Sequence, residues 1–205
     1  WAEKARDIAW FKPPQTILSQ DANGMDRWFA DGELNTAYLA LDLHVEQGRG
    51  EQPALIYDSP VSGSKKIFSY QQLRDEVARF AGVLRANGVG FGDRVVIYMP
   101  MIPEAAVAML ACARIGAVHS VVFGGFSAES LRDRINDAQA VLLVTADGGY
   151  RRGQIVPLKQ MADEALEGTP SIRNVVIVQR QAGGAFPIHV KEGRDHWYHR
   201  LMQDA

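Results

Sequence analysis

The pattern of apolar and polar positions from Gly92 to Ser127 predicts a strand, a helix and a second strand. Arg94 to Met99 is a short apolar run rich in Val and Ile, which is typical of a strand buried on both faces. A helix is expected to begin at Pro103, because a missing N–H costs nothing at the first helical position, and to end at Gly116. The second strand follows at Val118 to Phe123. A strand–helix–strand unit of this length places its two strands parallel.

Strands and helices continue to alternate along the chain. Two short β runs, 54–57 and 67–70, are joined by turn residues and predict a hairpin, and Ser69 with Gln72 forms a capping box that begins a helix. Further elements are expected as a helix capped by Ser127, a strand at 140–145, a helix at 157–166 and a strand at 174–178. The residues after 178 are polar, so no element is predicted there. This pattern indicates an α/β fold with a mostly parallel sheet and helices on both faces.

The first 48 residues predict a segment that wraps around the main domain. A helical spacing of apolar residues begins at Leu34, with Asn35 as its cap and Gly48 as its end. We expect this segment to dock through its aromatic side chains. Residues 49–205 then form the main domain.

Composition narrows the class of protein. The chain has 22 basic and 24 acidic side chains and a net charge of −2, which does not favour a nucleic-acid partner. Its longest apolar run, Ala105 to Ala113, is shorter than the roughly 20 residues of a membrane span, and no leader precedes it. Cys112 is the single cysteine, so a reducing, cytoplasmic location is expected, and burial should raise its pKa. The ends at Trp1 and Ala205 indicate a piece of a larger protein.

Two glycine-containing loops are the candidate ligand site. They are Phe123 to Ser127 and Gly148 to Gly153, and each follows a predicted strand. Because the carboxyl ends of parallel strands meet at one edge of a sheet, we expect the two loops to lie side by side. Arg151 and Arg152 add guanidinium groups suited to phosphate, so the loops together predict a site for an elongated, phosphorylated ligand. The residues alone equally allow glycines that only turn the chain and arginines that are solvated.

Other candidate motifs have simpler structural interpretations. The sequence GVGFGD at 88–93 lies after a helix and before a strand, the reverse of a dinucleotide-binding fingerprint, and predicts a helix end and a turn. His196 and His199 lack further metal ligands nearby in the sequence, so surface positions and no metal site are expected. His119 is expected to be a core histidine in a buried strand, and Asp147 a turn residue. No catalytic constellation is predicted.

Three long segments of the chain resemble a known family. They are WFADGELNTAY from Trp28, GDRVVIYMPMIPEAAVAMLACARIGAVHSVVFGGFS from Gly92 and TADGGYRRGQIVPLK from Thr145. All three are similar to the AMP-forming short-chain acyl-CoA synthetases, the acetyl-CoA and propionyl-CoA synthetases of the adenylate-forming superfamily. The resemblance extends from Trp1 to EGRDHWYHR at Glu192. It implies that residues 49–205 are the first part of the large AMP-binding domain and end before its phosphate loop.

The resemblance also implies a function. It implies an acid–thiol ligase that joins acetate or propionate to ATP, forms an acyl-adenylate and diphosphate, and transfers the acyl group to CoA. ATP, coenzyme A and Mg²⁺ are the implied cofactors, with the ATP and Mg²⁺ sites outside this chain, which would be inactive without the remainder of its own polypeptide. The residues implied to line or contact CoA are Phe123, Gly124, Gly125, Arg151, Arg152, Gly153 and Gln154. Gln154 stands where acetate-specific members commonly carry a second arginine, and Arg152 is the candidate to replace it.

Alternatives remain at this point. YDSPVSGSKK, from Tyr57, resembles the propionate branch, whereas TADGGYRRGQIVPLK resembles the acetate branch. A different adenylate-forming ligase, for medium-chain or aryl acids, is the first rival. A non-catalytic α/β nucleotide-binding module is the second. A nicotinamide dehydrogenase is disfavoured by the position of GVGFGD.

Overall fold

A computed structural model describes residues 1–180, 186 and 188–205 of the chain. Its strands are β1 (Leu18–Gln20), β2 (Asp26–Trp28), β3 (Pro53–Ser59), β4 (Ser64–Ser69), β5 (Arg94–Met99), β6 (Val118–Phe123), β7 (Leu142–Ala146), β8 (Gly149–Arg151), β9 (Gln154–Val156), β10 (Asn174–Val178) and β11 (Asp195–Trp197). Its α-helices are α1 (Ala2–Ala5), α2 (Tyr70–Ala86), α3 (Pro103–Ile115), α4 (Ala128–Ala138), α5 (Leu158–Leu166) and α6 (Tyr198–Gln203). Two π-helical segments span Tyr38–Asp42 and Val45–Arg49.

A five-stranded parallel sheet forms the centre of the fold, in the order β11-β10-β7-β5-β6. The strands β5, β7 and β10 are almost entirely buried, because helices cover both faces of the sheet. One layer contains α2, which packs against α3 and α6, and the other contains α4 and α5. The predicted α/β class is confirmed.

Local sequence signals begin and end the helices as expected. Ser69 Oγ accepts a hydrogen bond from the backbone N–H of Gln72 (3.2 Å), and the Gln72 side chain accepts one in return from the Ser69 N–H (3.0 Å). Helix α3 begins at Pro103 and is followed by Gly116 in the left-handed conformation (φ 73°). The Ser127 hydroxyl caps α4. Burial of Cys112 inside α3 raises the pKa of its thiol to about 12, as predicted.

The prediction that β6 is buried was wrong. Val118 and Val121 each expose 54% of their surface, and His119 is exposed as well, so it is not a core histidine. Strand β6 lies at the edge of the sheet, and within the described residues only β5 pairs with it. Composition alone does not reveal this position, because an edge strand and a central strand are equally rich in Val here.

The polar end of the chain contains two elements that the sequence pattern did not predict, β11 and α6. Strand β11 pairs in parallel with β10, with Asp195 opposite Val175. His196 is half-buried rather than fully at the surface, and its Nε2 lies 3.1 Å from the side-chain oxygen of Asn174. His199 is exposed as expected. A three-residue strand made of Asp, His and Trp is too short and polar to show a strand pattern.

The N-terminal segment contacts the main sheet domain through polar groups as well as the buried Leu41. Asn35 donates its side-chain amide to the carbonyl of Ala113 (3.0 Å), and Asp42 forms an ion pair with Arg114 (2.7 Å). The Asn35 oxygen also accepts the N–H groups that begin the predicted helix. The aromatic residues of this segment pack against one another, as Trp1 does on Trp28 and Trp10 on Phe29.

Within the described ranges, none of the helices combines the length and the apolar character that crossing a membrane requires.

Candidate functional site

A hydrogen bond from the side chain of Tyr98 holds the turn that follows β6. This buried tyrosine donates its hydroxyl to the carbonyl of Phe126 (2.8 Å), and its own carbonyl accepts the Thr145 hydroxyl (2.9 Å). Burial raises the pKa of Tyr98 to about 12, so the phenol stays protonated and keeps donating at any physiological pH. The glycine turn is therefore held at the carboxyl end of its strand.

The segment 148–153 is a β-hairpin rather than the predicted loop. Strands β8 and β9 pair antiparallel, with Arg151 opposite Gln154. Arg152 (φ 50°) and Gly153 (φ 76°) form the tip, and positive φ at both central residues is the signature of a type I′ turn. Arg152 therefore lies at the tip of the hairpin, whereas Arg151 lies in its first strand.

The two turns meet at one rim of the sheet, as predicted. The guanidinium carbon of Arg151 lies 5.3 Å from the ring centroid of Phe123, a cation–π arrangement. Gly125 lies against the same guanidinium, because a Cβ built there would be 2.5 Å from Arg151 Nη1. An alanine at 125 would displace Arg151 and Phe123, whereas one at Gly124 would press on the backbone oxygen of Met99 at 3.2 Å.

A groove of about 440 Å³ lies between these turns. Its lining is mostly apolar with two arginines and consists of Met99, Pro100, Met101, Val121, Val122, Phe123, Gly124, Gly149, Tyr150, Arg151, Val156, Leu158 and Arg180. Its volume falls within the range of small-molecule sites, about 300–1,000 Å³.

The sequence-predicted residues divide into two groups around this groove. Phe123, Gly124 and Arg151 line it, and Gly125 supports it through its contact with Arg151. Arg152, Gly153 and Gln154 are exposed and do not contribute to its lining. Sequence reasoning missed Arg180. The only available signal was its position two residues after a predicted buried strand.

Comparisons with known proteins show which family the chain is similar to. A family model described as AMP-binding enzyme matches residues 42–198, and one described as acetyl-coenzyme A synthetase N-terminus matches residues 1–40. The chain belongs to the AMP-binding enzyme family. The resemblance noted from the sequence is thereby confirmed.

Relatives of this AMP-binding enzyme chain include proteins named acetyl-coenzyme A synthetase. One from Rubrobacter xylanophilus is 52% identical over 205 residues, which is 100% of this chain and 31% of that protein. One named acetyl-coenzyme A synthetase 2, from Pseudomonas putida, is 48% identical over 100% of this chain and 31% of that protein. An uncharacterised protein from Pseudomonas aeruginosa is 55% identical over 95% of this chain. The chain thus spans about a third of the length of these relatives.

A solved structure shows the same fold. Acetoacetyl-CoA synthetase from Streptomyces lividans has a TM-score of 0.82 to this AMP-binding family member at 29% identity, over 98% of this chain and 30% of that one.

Proposed function

We propose that the full-length protein containing this chain is an AMP-forming short-chain acyl-CoA synthetase. The reaction has two steps. A carboxylate oxygen of acetate or propionate attacks the α-phosphorus of ATP, giving an acyl-adenylate and diphosphate. The thiolate of CoA then attacks the acyl carbon, giving acyl-CoA and releasing AMP. The activation step makes the AMP phosphate the leaving group of the second step.

We propose that this chain supplies part of the CoA channel. The observation that carries this proposal is the contact between the Phe123–Gly125 turn and Arg151 at the rim of the sheet. CoA bears phosphate groups at its nucleotide end, and an arginine fork binds phosphate oxygens through charge-assisted hydrogen bonds. The adjacent glycines let an extended ligand approach the backbone. The names of the relatives agree with a CoA substrate.

The groups that bind ATP and Mg²⁺ are proposed to lie elsewhere in the full-length protein. Within the described residues, no group of three or more His, Cys, Asp and Glu side chains is arranged to hold a metal. We propose residues 1–48 as an N-terminal wrapping segment and 49–205 as the first part of the AMP-binding domain; the two family models meet between 40 and 42. Residues 181–185 and 187 of that range lie outside the described residues. We propose a cytoplasmic location for the full-length protein.

The proposal is tested by assaying the full-length protein and the 205-residue chain side by side. We expect the full-length protein to consume acetate or propionate only with both ATP and CoA present, and to form AMP in equal amount. The isolated chain is expected to release no diphosphate, because the groups that bind ATP are proposed to lie outside it. Preference for a medium-chain or aryl acid, or for acetoacetate, would identify a different ligase. No acid-dependent AMP formation by the full-length protein would contradict the proposal, and diphosphate release by the isolated chain would contradict the assigned role of this segment.

A further inference from the structure

Arg180 lies at the same rim as the two turns, although it is far from them in sequence. It follows β10, which is the neighbour of β7 in the sheet. Its backbone N–H donates to Oδ1 of Asp147 (3.0 Å), a buried carboxylate that also accepts the N–H of Gly148 (2.8 Å). The Oδ1 atom of Asp147 therefore holds the start of the hairpin close to the backbone of Arg180.

The guanidinium of Arg180 stacks on an aromatic ring. Its Cζ lies 5.1 Å from the ring centroid of Tyr150. Burial raises the pKa of the Tyr57 phenol, but hydrogen bonding from Ser59, Arg180 and Ser62 outweighs it and leaves the pKa lowered. The Nε of Arg180 is buried, and no acceptor among the described residues meets it. One donor of the fork thus has no acceptor within the described protein.

In the described part of the chain, neither Arg151 nor Arg180 forms an ion pair with an acidic side chain, whereas Arg114 pairs with Asp42 and Arg194 pairs with acidic residues. The described residues that line the groove include no Asp or Glu. Glu104 and Lys66 line an adjoining hollow that Arg180 also borders, and their charges have opposite sign.

The positive charge of the groove therefore comes from two arginines that are not neighbours in sequence. Arg152 is at the exposed tip of the hairpin, and Gln154 carries no charge. Arg151 and Arg180 both line the groove, each stacked on an aromatic ring, Phe123 and Tyr150. Aromatic stacking limits the rotamers of an arginine while leaving its N–H donors available, which favours binding of an oxyanion.

We propose that Arg180 is a second anion-binding residue of this groove and acts with Arg151 on a phosphate group of CoA. This inference rests on the proposed function. The ligand chemistry is a phosphate oxyanion, which in CoA is either the 3′-phosphomonoester of the adenosine or the diphosphate bridge.

The test measures CoA and dephospho-CoA binding to the full-length protein by titration calorimetry. Arg180→Gln is expected to raise the Kd of CoA by about 10- to 100-fold, the value of a lost hydrogen bond to a charged group. Arg180→Lys keeps the charge but not the planar fork, so its effect should be smaller. Arg85→Gln removes an exposed arginine from the last turn of α2 and serves as the matched control. Thermal unfolding of each variant identifies any loss caused by misfolding.

The results either show which phosphate of CoA contacts Arg180 or overturn the inference. A loss seen with CoA but not with dephospho-CoA assigns Arg180 to the 3′-phosphate, and an equal loss with both assigns it to the diphosphate. CoA binding unchanged in folded Arg180→Gln, or an effect of Arg180→Lys as large as that of the Gln variant, would overturn it. Exchange between ATP and diphosphate that depends on acetate or propionate needs no CoA, so its absence with both acids from the wild-type protein would contradict the proposed function independently.

Discussion

Lys159→Ala is expected to lower the free energy of unfolding by about 3 kcal/mol, the lower end of the range for breaking a buried ion pair. The Lys159 side chain is fully buried, and its Nζ lies 2.6 Å from Asp163 and 3.0 Å from Asp195. It also donates to the backbone carbonyl of His189 (2.7 Å). Removal of the lysine leaves Asp195 buried, but Arg194 still pairs with it, which limits the loss.

The charge of Lys159 is the source of this effect, and a matched variant separates it from packing. Lys159→Met keeps most of the side-chain volume, so it should be nearly as destabilising as the alanine variant. Lys4→Ala breaks an exposed pair with Asp7 and is expected to change stability by less than about 1 kcal/mol. Urea denaturation of the 205-residue chain, followed by circular dichroism, measures all three. A methionine variant as stable as the wild type would show that packing alone holds this site.

The same network connects β11 to α5. Burial raises the pKa of Asp195, but the hydrogen bond from Arg194, with those from Lys191 and Lys159, outweighs burial and leaves the pKa lowered. Asp195 therefore remains ionised in the folded protein and keeps its two cationic partners.

Arg151→Gln in the full-length protein is expected to raise the Kd of CoA by about 10- to 100-fold, because a charge-assisted contact to phosphate is lost. The exchange of diphosphate into ATP, measured with whichever of acetate and propionate the protein uses, should stay within about twofold of wild type, since this step needs no CoA. Calorimetry and an exchange assay measure the two effects separately.

A second stacked arginine provides the control for this variant. The guanidinium of Arg134 lies 5.0 Å from the ring of Phe126, on the same turn, but Arg134 does not line the groove. Arg134→Gln should therefore leave CoA binding unchanged. Equal weakening by both variants would indicate a general loss of surface charge rather than a contact in the groove, and unchanged binding in Arg151→Gln would refute the assignment.

Short sequence patterns predicted where helices begin and end, because helix ends depend on residues that are neighbours in sequence. The capping box at Ser69, the proline at the start of α3 and the glycine at its end each act only on residues close to them in sequence. Because the strands were predicted to be parallel, the Phe123 and Arg151 turns were expected at one rim of the sheet, and the structure confirms that they meet there.

The features that sequence reasoning missed depend on tertiary contacts. The exposure of Val121 follows from the position of β6 at the sheet edge. The burial of Lys159 depends on partners that are distant in sequence, Asp195 and the carbonyl of His189. Arg152 adopts a positive φ that is uncommon for arginine. The sequence therefore did not predict the hairpin. Arg180 joins the groove only because β10 lies beside β7.

Hydrogen–deuterium exchange of the full-length protein with and without saturating CoA tests most directly whether the rim formed by these two turns is the CoA groove. We predict slower exchange in peptides that cover residues 123–127 and 149–156, and no change in peptides from α2. Slower exchange elsewhere in the protein, with both of these segments unaffected, would contradict the account.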